Sequence, residues 1–102
     1  VRERFERRFP ELSGSLTVHG FSGLYDVTPD WNPILGRTDQ VDGLILCCGF
    51  SGHGFKTGPA VGEVMAEEIV DGTARSIDIS RLNLRRFAAG ELIGAAYGTN
   101  RA

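Results

Sequence analysis

The sequence has no long apolar run. No stretch approaches the roughly 18 consecutive apolar residues that a membrane-spanning helix requires, and the charged opening VRERFERRF is unlike a secretory signal peptide. Neither a span nor a signal peptide is therefore expected in these residues, no membrane partner is expected, and a cytoplasmic location is the default expectation. Cysteine is scarce: Cys47 and Cys48 are the only two in 102 residues, and they are adjacent. Neighbours on a strand point to opposite faces, so no disulfide framework can form. Two reduced, buried thiols are expected, since a redox pair normally has two intervening residues. An excess of one charge is also missing: 11 Lys and Arg against 13 Asp and Glu give a net charge of -2. That balance argues against a nucleic-acid partner, which would meet a basic face. There is no internal repeat and no initiator Met, and the abrupt helical start fits a piece cut from a longer protein, although a processed terminus would look the same.

What is present fits one small globular domain with a thin core, because a chain of this size buries only about two-thirds of its unfolded surface. Phe5 and Phe9 lie four apart, on one face of a short amphipathic helix that Pro10 helps to end. SLTVHGFSGLYDVT, residues 15–28, reads as a strand with a bend at Gly20 and Gly23. TPDWNP turns the chain, PILG is a short strand, and GLILCCGF reads as a strand buried on both faces, the last two forming a hairpin. From Pro59 to Val70 the period becomes helical, with Val61, Met65 and Ile69 on one face and Val64 close by. Thr57 or Gly58 can cap this helix, and Gly72 suits its end. SIDIS reads as a short extended piece before an irregular tail. The fold class expected is therefore α+β: strands and a glycine loop over 13–58, one principal helix over 59–72 and a tail over 73–102.

CCGFSGHGFKTGPAVGE, residues 47–63, holds the most chemistry. Strand, glycine loop and helix together expose backbone N–H groups at the positive end of a helix, where anions and electron-rich groups bind. Glycines at 52, 54 and 58 permit positive φ and close approach to a flat or charged ligand. The same spacing also fits a tight connection with no ligand. Gly52, Gly54 and Gly58 further spell G-x-G-x-x-x-G, a cousin of the fingerprint that binds nicotinamide dinucleotides, with Asp78 placed to hold a ribose. Against that reading, the loop falls mid-chain, hairpins precede it, and too little chain follows Asp78 for a doubly wound sheet.

GLYDVTPDWNPILG, residues 23–36, followed by CCGFSGHGFKTGPAVGEVMAEEIVDG, residues 47–72, resembles the C-terminal end of the FAD-dependent oxidoreductases of the D-amino-acid oxidase type, nearest the sarcosine oxidase branch. LNLRRF, residues 82–87, is a weaker echo of the same family. The resemblance implies a C-terminal piece of a two-domain flavoenzyme whose N-terminal Rossmann portion, with the rest of the FAD site, is not in this sequence. It implies FAD as cofactor, lined by Phe50, Ser51, Gly52, His53, Gly54, Phe55 and Lys56, with the helix N-terminus aimed at the pyrimidine edge of the flavin. It further implies that Lys56 and Tyr25 face a small amino acid or secondary amine whose C–N bond is oxidised. Gly23 stands where some sarcosine oxidases carry a flavin-linked cysteine, so FAD is expected to be held non-covalently.

Each of these residues also has a plainer reading. His53 can be an exposed turn histidine, Lys56 a solvated lysine, and Tyr25 a strand aromatic at a core edge. His19 is expected to be structural and Trp31 a lid over the hairpin. The piece alone is expected to be inactive and to rest on the N-terminal FAD domain, or on a second copy through self-association, because surfaces meant for that domain are left open. The alternative class is a stand-alone non-catalytic domain or partner subunit.

Overall fold

The structure, a computed structural model, describes residues 2–15 and 19–94. The first element, α1 (Arg2–Arg8), is held by an Arg2–Glu6 ion pair at 2.7 Å one turn apart. It gives way to a 3-10 turn at Pro10–Leu12. The rings of Phe5 and Phe9 meet with centroids 5.4 Å apart, and α1 buries no residue, so the pair packs on itself rather than into a core.

The strand expected over 15–28 is not formed in the described part, and Leu16, Thr17 and Val18 lie outside it. Residues 19–27 are irregular and exposed, His19 included. Their polar backbone is not laddered to a neighbouring strand. Asp26 and Thr28 instead bond to the glycine loop.

The expected hairpin is present. β1 (Ile34–Arg37) pairs antiparallel with β2 (Ile45–Cys48), Ile34 opposite Cys48 and Arg37 opposite Ile45. β1 supplies a buried core residue, Leu35, whereas β2 only packs its half-buried Ile45 against that core. Burial of β2 on both faces is not observed: Cys47 and Cys48 are exposed free thiols, because this two-stranded sheet has a single layer packed against it.

Helix α2 runs Gly54–Val70, five residues earlier than the sequence suggests. His53 occupies the N-cap, not Thr57 or Gly58, and the Thr57 hydroxyl instead donates back to the His53 carbonyl at 3.1 Å. Pro59 sits at the sixth helical position and has no N–H for the carbonyl of Phe55 one turn earlier. The inward face also differs from the expected one. Val64, Met65 and Glu68 are buried while Ile69 is exposed. Glu68 is drawn inward by polar contacts: its Oε2 accepts from the Ala74 amide at 3.1 Å and its Oε1 lies 3.7 Å from Arg37 Nε. Gly72, at φ 79°, ends the helix as expected.

SIDIS does not extend. Asp78 accepts the Ser80 amide at 2.9 Å and starts a 3-10 turn, Ser80–Leu82, which leads to α3 (Arg85–Ala89). Asp78 is thus engaged locally, and that bond holds its carboxyl below the ordinary value. Of the tail expected over 73–102, residues 95–102 lie outside the described part. Leu35, Val64, Met65 and Ile79 form the core, with Ile45, Phe50, Val61, Ala74 and Leu82 against it. It is small, and the radius of gyration is 18.6 Å where a globular chain of this length has about 13 Å. Among the described residues, no helix is long and apolar enough to cross a membrane.

Candidate functional site

The end of β2 and the start of α2 are joined by a tight turn in which the His53 amide donates to the Phe50 carbonyl at 2.9 Å. Its two central residues, Ser51 (φ 51°) and Gly52 (φ 82°), both have positive φ, the pattern of a type I′ turn. Gly49 also has positive φ, whereas Gly54 and Gly58 are helical and do not need glycine's left-handed range. A serine in that range is unusual. It is held there by its own polar groups: Ser51 N–H donates to the Asp26 carbonyl at 3.1 Å, and Ser51 Oγ accepts from the Thr28 amide at 3.2 Å.

The strap 25–28 therefore lies across the loop. Asp26 Oδ2 accepts from the Gly49 amide at 2.7 Å. A β-carbon on Gly49 would come within 2.6 Å of Thr28 Cγ2, and one on Gly52 within 3.0 Å of the Tyr25 ring. At these two glycines a side chain is excluded by the chain's own strap, which lies against one side of the loop.

The sequence-derived site residues separate into groups. Tyr25 is brought onto Gly52, while Phe50, His53 and Lys56 share one apolar cleft of about 410 Å³ with Trp31, Val64 and Ile79. Phe50 also packs under Gly54, whose β-carbon position is 3.2 Å from Phe50 Cβ. Lys56 is exposed at the cleft. Phe55 is fully exposed and does not line it. Ser51 faces inward, 2% exposed, so its side chain holds the turn rather than presenting itself outward. The amides of Gly54, Phe55 and Lys56 have no helical carbonyl four residues earlier to bond, and they project from the positive end of α2. Beta-carbons on Gly58 and Gly62 would meet nothing within 4 Å, leaving this face of α2 open to close approach.

Beneath the site lies an ion pair that reasoning from sequence missed. The side chains of Arg86 and Asp30 are both 1% exposed, joined by Nε–Oδ2 at 2.7 Å and Nη2–Oδ1 at 3.0 Å. Arg86 Nη1 donates to the carbonyls of Leu82 and Asn83, and Nη2 to that of Asn32, so every guanidinium N–H has an acceptor. Thr28 Oγ1, 3.3 Å from Asp30 Oδ1 and 3.3 Å from Ser51 Oγ, links this pair to the turn. Trp31, with φ 61°, follows Asp30 on the rim.

Burial pushes the Asp30 carboxyl upward, but the Arg86 hydrogen bonds and the amides of Asn32 and Ile93 outweigh it and hold the group at about 2, against an ordinary 3.8. A carboxyl lowered by folding contributes stability that is present above the unfolded value and lost as pH falls through the folded one. Between about pH 4 and pH 2 the chain is expected to lose about 2 kcal/mol of stability. Urea midpoints across that window check this, and a flat profile would contradict it.

The family model described as "FAD dependent oxidoreductase" matches residues 1–68. The chain is 40% identical over 88 residues to the FAD-dependent oxidoreductase domain-containing protein 1 homolog of Drosophila melanogaster, covering 85% of this chain and 17% of that protein. It is 35% identical over 90 residues to the monomeric sarcosine oxidase of Streptomyces avermitilis, covering 87% of this chain and 23% of that protein. Among solved structures, L-proline dehydrogenase from P. horikoshii superposes with a TM-score of 0.73 at 37% identity, covering 89% of this chain and 24% of that one. The chain thus spans less than a quarter of the length of each of these relatives. Matched by the family model over two-thirds of its residues, and with relatives that share its sequence over most of its length, the chain belongs to the FAD-dependent oxidoreductase family.

Proposed function

We propose that this chain forms the C-terminal part of a flavoenzyme that oxidises the C–N bond of a secondary-amine amino acid, leaving an imine that water hydrolyses. The observation carrying this reading is the convergence of Tyr25 and the glycine turn beside the α2 N-terminus, with Lys56 on its first helical turn. Family membership implies FAD, and the residues present fit it: an open glycine face, first-turn amides without an intrahelical acceptor and a tight turn at Gly52. FAD, when bound, supplies the two-electron acceptor for the hydride that leaves the substrate carbon.

The amides of Gly54, Phe55 and Lys56, with the positive end of a 17-residue helix, would hold negative charge on the ring edge beside them. Phe50, Gly52 and His53 would line the ring, and Ser51 would keep the turn in shape from below. Lys56 would bind the substrate carboxylate as a point cation, and Tyr25 would cover the substrate. Sarcosine and L-proline, which name two of the relatives, are both α-amino acids with a secondary amine. Gly23 offers no thiol to the flavin at the position suggested by the resemblance, which supports non-covalent binding.

The test is the visible spectrum of the whole flavoenzyme titrated with N-methyl and D-amino acids and proline. Bleaching of the oxidised flavin band by one of them is the expected result, and denaturation should release the flavin. A polypeptide that carries no flavin would overturn the reading. Lys56→Met is expected to raise KM for carboxylate substrates by roughly tenfold or more, the scale of one charged hydrogen bond. Unchanged KM would remove Lys56 from the substrate site.

A further inference from the structure

We propose that Asp26 is the positioning residue of the substrate pocket: by gripping the glycine loop it fixes the Tyr25 ring against Gly52. The proposal deepens the functional reading above and rests on it for the meaning of Tyr25.

Among the described residues, no hydrogen bond holds residues 19–25, and all of them are exposed. The first anchor of this segment is Asp26, immediately after Tyr25. It holds the loop at two points, the Gly49 amide through Oδ2 at 2.7 Å and the Ser51 amide through its carbonyl at 3.1 Å. The first is a short, charge-assisted bond, the stronger class. Tyr25 is 72% exposed, yet its ring lies where a Gly52 β-carbon would be only 3.0 Å away. Little packs around a residue so exposed, so its place is set by the backbone next to it. That backbone is fixed by Asp26.

Glycine at 52 and acid at 26 thus work as a pair. The first leaves room for the ring, and the second delivers the ring to that room. An aromatic held on the loop by its neighbour, rather than by a packed core, covers substrate with a defined pocket wall.

Two measurements test this. In the 102-residue chain, the Gly52 α-protons are expected to show a ring-current shift in NMR that Tyr25→Leu abolishes. Asp26→Ala, which keeps the carbonyl bond to Ser51 but loses the grip on Gly49, should reduce it strongly, while Asp26→Asn, which keeps an oxygen for the Gly49 amide, should retain most of it. A Gly52 shift undiminished by Asp26→Ala overturns the proposal. In the whole flavoenzyme, Asp26→Ala should raise KM by roughly tenfold, with a smaller change in kcat and an unaltered flavin spectrum. In a Tyr25→Leu background it should add nothing, because Asp26 acts through that ring. Additive effects on KM overturn the proposal even if the enzyme is active. An enzyme that oxidises no amine defeats the functional reading instead, and the Gly52 signal then still decides the role of Asp26.

Discussion

Arg86→Met is expected to cost about 3–5 kcal/mol, the range for removing one partner of a buried ion pair, and this is the largest effect of any single substitution foreseen here. Total stabilities of small domains are about 5–15 kcal/mol, so the variant should be largely unfolded at modest urea. The loss has two sources. Asp30 is left charged and 1% exposed, with only hydroxyl and amide donors, and the carbonyls of Asn32, Leu82 and Asn83 lose the donors that the guanidinium supplied. For the second reason, replacing both Arg86 and Asp30 by apolar residues should not restore stability, although such swaps often do for simpler buried pairs. Arg86→Lys should recover only part, since an ammonium has three donors and no planar fork. Urea denaturation of the three variants checks the order: wild type most stable, then Lys, then Met. Equal stability of wild type and Arg86→Met would show that the pair contributes nothing.

The elements most legible in the sequence were those defined by local chemistry. Phe5 and Phe9 one helical turn apart, Pro10 as a stop and Gly72 as a C-terminal glycine each specify a local outcome, and each is found. The hairpin of Ile34–Arg37 and Ile45–Cys48 was legible for the same reason. Residues 19–28 misled because alternation of apolar residues shows only that a strand is possible, while a ladder needs a partner, and here Asp26 and Thr28 bind the glycine loop instead. Cys47 and Cys48 misled similarly, since an apolar run does not reveal how many layers will cover it. The start of α2 was misplaced because Pro59 is a strong local signal for a first turn, whereas the Phe50–His53 turn had already set the helix direction five residues earlier. At the site, the glycine loop was visible as a pattern, and the resemblance singled out Tyr25 and Lys56. Asp26 and the Asp30–Arg86 pair were not visible, because their meaning lies in contacts 23 and 56 residues apart. Only the weaker LNLRRF echo hinted that Arg86 mattered.

Gly49→Ala is the second large effect expected, and its size can be divided into parts by experiment. At φ 69° an alanine must adopt the left-handed region, which costs roughly 1–2 kcal/mol. Its β-carbon would also sit 2.6 Å from Thr28 Cγ2. That methyl cannot swing away cheaply, because the Thr28 hydroxyl donates to the Asn32 carbonyl at 2.8 Å and its amide to Ser51 Oγ at 3.2 Å. Overpacking a tight contact adds about 1–3 kcal/mol, so a total near 2–5 kcal/mol is expected. Gly43→Ala measures the backbone share alone, since Gly43 has φ 76° and a β-carbon there would meet nothing within 4 Å. The difference in urea stability between the two variants is then the cost of the collision. Thr28→Ser, which keeps the hydroxyl and deletes the methyl, should recover that difference in the Gly49→Ala background and little else. If Gly49→Ala and Gly43→Ala lose the same stability, the strap is not seated on the loop as closely as the structure has it, and the hold of Asp26 on Gly49 falls with it.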